Sequence, residues 1–242
     1  MSRPFLTAAW RYLVMLNYEI DSALLTSLVP RNTELDFRRD RALVSLVGFR
    51  FVDTRVLGLS IPFHRNFEEI NLRFYVRRRA EDGWRRGVVF IKEVVPRRAI
   101  ALIAREKYNE PYVALAMRHE IQLDDVDSGG RGLVRYQWRQ HRWYTIQCEV
   151  QGPPGELESG SEAEFITEHY WGYTRQRDGG TIEYRVEHPR WRVWSALSAR
   201  LDCDVERMYG REFVPALRAA PVSAFVADGS AVAVFAGKRL PA

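Results

Sequence analysis

Glu69, Asn71, Arg73 and Tyr75 occupy every second position of the stretch NFEEINLRFYV. Side chains alternate across a strand, so these four share one face while Ile70, Leu72 and Phe74 take the other. An acid, an amide, a guanidinium and a phenol in one row admit two readings. If the apolar face alone is core, the row is a hydrogen-bonded face turned to water. If the row lines a barrel or cleft, the groups converge on a ligand: Glu69 is then the acid or base, Arg73 a fixed fork for a carboxylate and Asn71 a donor. A second concentration of chemistry is REKYNEPY (105–112), which follows an apolar helical pattern. There Arg105 would grip a carboxylate, and Tyr108 and Tyr112 would donate hydrogen bonds from apolar walls. Equally, these residues could cap and pack the end of a helix. Lys107 in the same stretch is one of three lysines, with Lys92 and Lys238, so an amine nucleophile has few sources. Tyr170 and His188 are candidates from the far half, although HYWGY and EHPRWRVW also read as aromatic packing at a core edge.

Other site classes are excluded by pattern. HEIQL lacks the second histidine of H-E-x-x-H, and neither a G-x-S-x-G elbow nor a P-loop is present. The five histidines have no ligand-like spacing, so no metal is expected, and no cofactor motif is found. Cys148 and Cys203 stand far apart, which points to reduced thiols and a cytoplasmic setting. The net charge of +5 comes from 36 basic and 31 acidic residues interspersed along the chain, so no nucleic-acid partner is expected. RRRAEDGWRR reads as a solvated hairpin. Arg11 interrupts the apolar N-terminal run, no cleavage site follows, and no apolar stretch approaches the roughly 20 residues a bilayer requires.

The elements that must position these groups are mostly strands. Runs rich in Val, Ile, Tyr, Phe and Trp are expected to be extended over 11–20, 41–56, 71–78, 86–94, 112–123, 132–139, 142–152, 169–176, 181–194 and 230–240. Asp21 can cap a helix ending at Pro30. Pro96 can open a second, reaching about Tyr108. Ser161 and Glu164 form an S-x-x-E capping box for a third. QGPPGELESGS (151–161) reads as a long loop within one domain rather than a boundary.

Five motifs in order, NFEEINLRFYV, GVVFIKEV, IALIAREKYNEPYVALAM, FITEHYWGY and VEHPRW, resemble the YqjF-like family of uncharacterised bacterial proteins (domain of unknown function 2071) over nearly the whole chain. That family is grouped by fold with acetoacetate decarboxylase. The resemblance implies an α+β fold: a sheet-dominated single domain, 1–242, with a cone-like or barrel-like antiparallel β core round a pocket and few short helices. The row at Glu69 and REKYNEPY would then face one cavity. In the decarboxylase pattern a Schiff-base lysine pair follows an Arg-Glu dipeptide. Placing Arg105-Glu106 on that dipeptide puts Tyr112-Val113 at the lysine positions, so the pair is absent and Lys107 stands too early in the chain. The resulting expectation is a pocket for a small, carboxylate-bearing ligand, with no cofactor. Two alternatives remain: a Schiff-base lyase or decarboxylase acting on keto acids through Lys107, and a non-enzymatic binding or interaction module. An exposed sheet edge is compatible with a homodimer.

Overall fold

A computed structural model describes residues 3–96 and 111–241. The first strands are β1 (Leu6–Ile20), β2 (Glu34–Leu35), β3 (Ala42–Val56), β4 (Leu59–Ser60), β5 (Phe67–Ala80), β6 (Gly83–Val95) and β7 (Tyr112–Ala114). Next come β8 (Ala116–Gln122), β9 (Arg131–Arg139), β10 (Trp143–Gln151), β11 (Trp171–Arg175) and β12 (Thr181–Glu187). The last are β13 (Val193–Ser195), β14 (Ser198–Asp202), β15 (Ser223–Val234) and β16 (Lys238–Arg239). In the larger sheet the order β15–β1–β3–β5–β6–β11–β12 returns to β15 through Val186 opposite Val234, so the sheet closes into a ring. The ring is uneven. β1 and β3 pair along most of their length, whereas the β6–β11 seam is parallel and consists of Trp171 opposite Gly87 and Gly172 opposite Val88. A smaller antiparallel sheet runs β14–β10–β9–β8. β14 pairs with β10 and β11 with β6, so strands from both sides of the 151–161 loop interleave in both sheets.

Each face of the ring wall carries its own core. Outward-facing Val14, Leu16, Val44, Leu46, Ile70, Leu72 and Phe74 pack with Tyr136, Trp138, Tyr144 and Ile146 of the smaller sheet. Inward-facing Leu13, Met15, Val47, Phe49, Phe51, Phe67 and Tyr75 form a second cluster with Phe165 and Ile166. Those last two belong to the helix Glu162–Thr167, which begins where the capping box requires: Ser161 Oγ accepts from the Glu164 amide at 3.1 Å, and Glu164 accepts from the Gly160 amide.

Several expected elements are shorter than their sequence pattern. The helix capped by Asp21 spans only Ser22–Thr26. The stretch 181–194 is two strands, because Pro189 has no amide to give a ladder. The 230–240 stretch belongs to β15 and β16 with a break at Phe235, Ala236 and Gly237. β14 and the helices Val205–Tyr209 and Val214–Arg218 were not expected from periodicity. The helix expected from Pro96 lies outside the described residues.

The short seam needs Gly87. A Cβ there would stand 2.6 Å from the Trp171 carbonyl oxygen and 2.6 Å from the Tyr173 ring, too close for any side chain. Gly87→Ala is therefore expected to cost about 1 to 3 kcal/mol, the usual range for overpacking. A urea unfolding midpoint equal to that of the parent would show that the seam can give way at no cost.

Candidate functional site

Between the helix Glu162–Thr167 and the β3–β5 connection, the ring encloses a cavity of about 310 Å³. The polar row enters it from β5. Glu69 and Asn71 are 3 % and 2 % exposed, so Glu69, Asn71 and Arg73 face the cavity rather than water, while Ile70, Leu72 and Phe74 fill the outer core. Asn71 Nδ2 donates to Glu69 Oε1 at 3.0 Å, and the Tyr112 hydroxyl donates to Glu69 Oε2 at 3.3 Å. Tyr75, the fourth member of the row, is outside the lining. Its hydroxyl sits 2.5 Å from Ser45 Oγ, which also donates to Asn17 Oδ1, so this phenol is committed to a buried network.

Arg73 is held differently from the other arginines of the wall. Arg78 and Arg85 both pair with Glu183, and Arg86 pairs with Asp36. Arg73 has no ion pair among the described residues. Its Nη2 reaches the Ile166 carbonyl only at 3.5 Å, and its buried Nε has no hydrogen-bond partner. Buried donors and acceptors are normally satisfied, so an unmatched guanidinium on a cavity wall marks a place for an acceptor from elsewhere.

Further polar groups line the cavity from positions that the sequence pattern does not single out, among them Glu93, His169, Thr54, His64 and Tyr184. Glu93, 1 % exposed, lies opposite Asn71 on β6 and beside Tyr112 on β7, so the three form a row across the wall. A bulge between the Leu72 and Arg73 registers brings both Phe90 and Glu93 to the inner face, although they are three positions apart. His169 follows the helix and lines the cavity with Nδ1 buried and without a hydrogen-bond partner. Its Nε2 lies 3.4 Å from Asp36 Oδ2 and 3.3 Å from Arg86 Nη2. Burial, with the Arg86 and Arg73 charges adding to it, pulls the His169 pKa down to about 4 against the pull of Asp36, so the imidazole is neutral near pH 7. Burial opposes charge on Asp36 too, but hydrogen bonds from His169 and Arg86 outweigh it and hold the carboxyl below its usual range.

Tyr170 and His188 are placed elsewhere: neither lines the cavity. Their rings pack 4.8 Å apart, His188 stacks on Trp191 at 4.1 Å, and the Tyr170 hydroxyl donates to Glu168 at 2.6 Å. Arg105, Lys107 and Tyr108 lie outside the described residues. The other two lysines are away from the cavity. Lys92 is on the outer face, where its ammonium donates to the Met208 carbonyl and burial lowers its pKa, while Lys238 is exposed. Among the described residues no group of three His, Cys, Asp or Glu side chains could hold a metal ion, and no helix is long and apolar enough to cross a membrane.

Residues 7–231 of this chain match the family DUF2071, described as an uncharacterized conserved protein. The chain belongs to this family. This DUF2071 protein is 27 % identical over 181 residues to the uncharacterized protein YqjF of Bacillus subtilis (strain 168), covering 74 % of this chain and 72 % of that one. Solved structures place the DUF2071 chain in the acetoacetate decarboxylase-like fold. Acetoacetate decarboxylase from Legionella pneumophila superposes with a TM-score of 0.65 at 15 % identity, covering 99 % of this chain and 88 % of that one. An acetoacetate decarboxylase-like enzyme from Sphingomonas wittichii RW1 gives 0.64 at 13 % identity, with coverage of 99 % and 94 %. The enduracididine biosynthesis enzyme MppR complexed with pyruvate gives 0.66 at 12 % identity, with coverage of 100 % and 91 %.

Proposed function

We propose that this DUF2071 protein binds a small organic carboxylate in the ring cavity, with Arg73 as its anchor. The observation that carries the reading is the guanidinium of Arg73 on the cavity wall, which has no ion pair among the described residues and touches only the Ile166 carbonyl and the face of Tyr75 there. Asn71 and Tyr112 supply further polar contacts, and Glu69 is the group placed to exchange a proton with a bound molecule. The pyruvate complex of MppR, a protein of the same fold, supports a carboxylate in this kind of ring. The network reading of the polar row has its own support in the Asn17–Ser45–Tyr75 hydrogen bonds, and it accounts for Tyr75. It does not account for Arg73.

Titration calorimetry with a panel of carboxylic and oxo acids tests the proposal. A charge-assisted hydrogen bond is worth about 1.5 to 3 kcal/mol, so Arg73→Gln is expected to weaken any acid that binds by roughly 10- to 100-fold. Binding that survives Arg73→Gln unchanged, in a variant with the parent's melting temperature, would refute the anchor. A melting temperature that falls while affinity holds would favour the network reading.

A further inference from the structure

We propose that the ligand is an amphipathic carboxylic acid, with its acid group at Arg73 and an alkyl or aryl body lying in the aromatic end of the cavity. The inference rests on the carboxylate reading above and adds the substrate class. Polarity is graded along the cavity. At the end beside the helix Glu162–Thr167 stand Asn71, Arg73 and His169. One step along the strands Glu69 pairs with Phe49, and one step further Phe67 pairs with Phe51. Phe51 and Phe67 stack at 4.6 Å, and Trp10 closes on Phe49 and Phe51 at 5.5 and 5.9 Å. Beyond them the lining continues through Thr54 and Val56 to His64 and Ile61, which is 41 % exposed, so a mostly apolar lane runs from the polar end towards the surface.

Size points the same way. With about 30 Å³ as the share of one water, a cavity of 310 Å³ has room for roughly ten non-hydrogen atoms. A three-carbon oxo acid would occupy only the polar end and leave the aromatic lane filled with water, where the lining is mostly apolar and the Trp10 indole N–H and the Thr54 hydroxyl are among its few polar groups. An apolar body replaces that water, and each buried methylene contributes about 0.8 kcal/mol, or roughly fourfold in affinity.

The test is calorimetry on the full chain with straight-chain acids from propanoate to decanoate, phenylpropanoate, pyruvate and octanol. Affinity is expected to rise roughly three- to fourfold per methylene, with octanoate at least about 50-fold tighter than butanoate and far tighter than octanol. Pyruvate or butanoate binding as tightly as octanoate would overturn this inference and leave the carboxylate reading intact. Octanol matching octanoate, with Arg73→Gln silent, would overturn the carboxylate reading and this inference with it, as would the absence of binding by every acid. Val56→Trp, which narrows the lane and adds no charge, should weaken octanoate more than about tenfold and spare butanoate. Unchanged octanoate binding in that variant would also overturn the placement. If the variant does not fold, the chain-length series on the parent protein decides alone.

Discussion

Glu183→Ala is expected to destabilise the protein by about 2 to 3 kcal/mol, because this one carboxylate ties β12 to three other strands across one of the two thin seams of the ring. Glu183 sits on β12, 7 % exposed, and accepts from Arg78 of β5 at 2.7 Å, from Arg85 of β6 at 2.6 Å and from the Tyr173 hydroxyl of β11 at 3.0 Å. Backbone pairing at the β6–β11 seam amounts to two residue pairs, so side chains must hold what the ladder does not. Removing the acid would leave the half-buried Arg78 guanidinium without its counter-charge and Arg85 with Asp82 alone. Breaking a fully buried pair costs about 3 to 5 kcal/mol, and the lower figure here reflects the partial solvent access of both arginines. Urea unfolding of the parent, Glu183→Ala and Glu183→Gln would measure it. The amide should fall between the other two, since it keeps an acceptor. Equal midpoints for all three would mean that the seam does not depend on this cluster.

His169 predicts a pH dependence of similar size. Its pKa in the folded protein is about 4 against an ordinary value of 6.5. Below pH 6.5 the unfolded chain therefore takes up a proton that the folded protein refuses. Stability contributed by the neutral imidazole is complete above pH 6.5 and is lost as the pH falls towards 4, below which both states are protonated. At about 1.36 kcal/mol per pKa unit, the loss over that window is about 3 kcal/mol. The groups facing the ring are Asp36, Arg86 and Arg73; Asp36, whose pKa is lowered, adds its own loss only at still lower pH, below the ordinary carboxyl value. Unfolding free energies measured from pH 7.5 to 4.5 should fall more steeply for the parent than for His169→Gln. The slope is the readout, so a general cost of the substitution does not matter. Parallel slopes would mean that His169 titrates normally in the folded state.

The parts of the site that were legible in the sequence are those that obey a period of two. Glu69, Asn71 and Arg73 could be placed on one face because nothing disturbs the alternation of β5, and the apolar residues between them fixed the opposite face as core. Glu93 was not selected because the bulge in β6 changes which positions face inward, and no residue in GVVFIKEV announces it. His169, Asp36 and Arg86 come together from a helix end, a strandless segment and a strand, so only the fold makes them neighbours. Tyr170 and His188 lie outside the cavity lining. They had the right residue types near the right motifs, yet pack on each other and on Trp191. Likewise β14 and the helices Val205–Tyr209 and Val214–Arg218 are five residues each, too short for a periodic pattern to stand out.

The bulge in β6 also determines the electrical character of the cavity. With Phe90 facing inward, Glu93 also faces inward and Lys92 outward only because one extra residue is accommodated between the Arg73 and Leu72 registers. If the same strand were ironed flat from its hairpin onward, strict alternation would carry Lys92 inside and turn Glu93 out. An acid-walled chamber and an amine-walled one are thus separated by half a pleat of phase. The same ring could exchange a wall carboxylate for a wall amine without a new strand, a new loop or a new residue type.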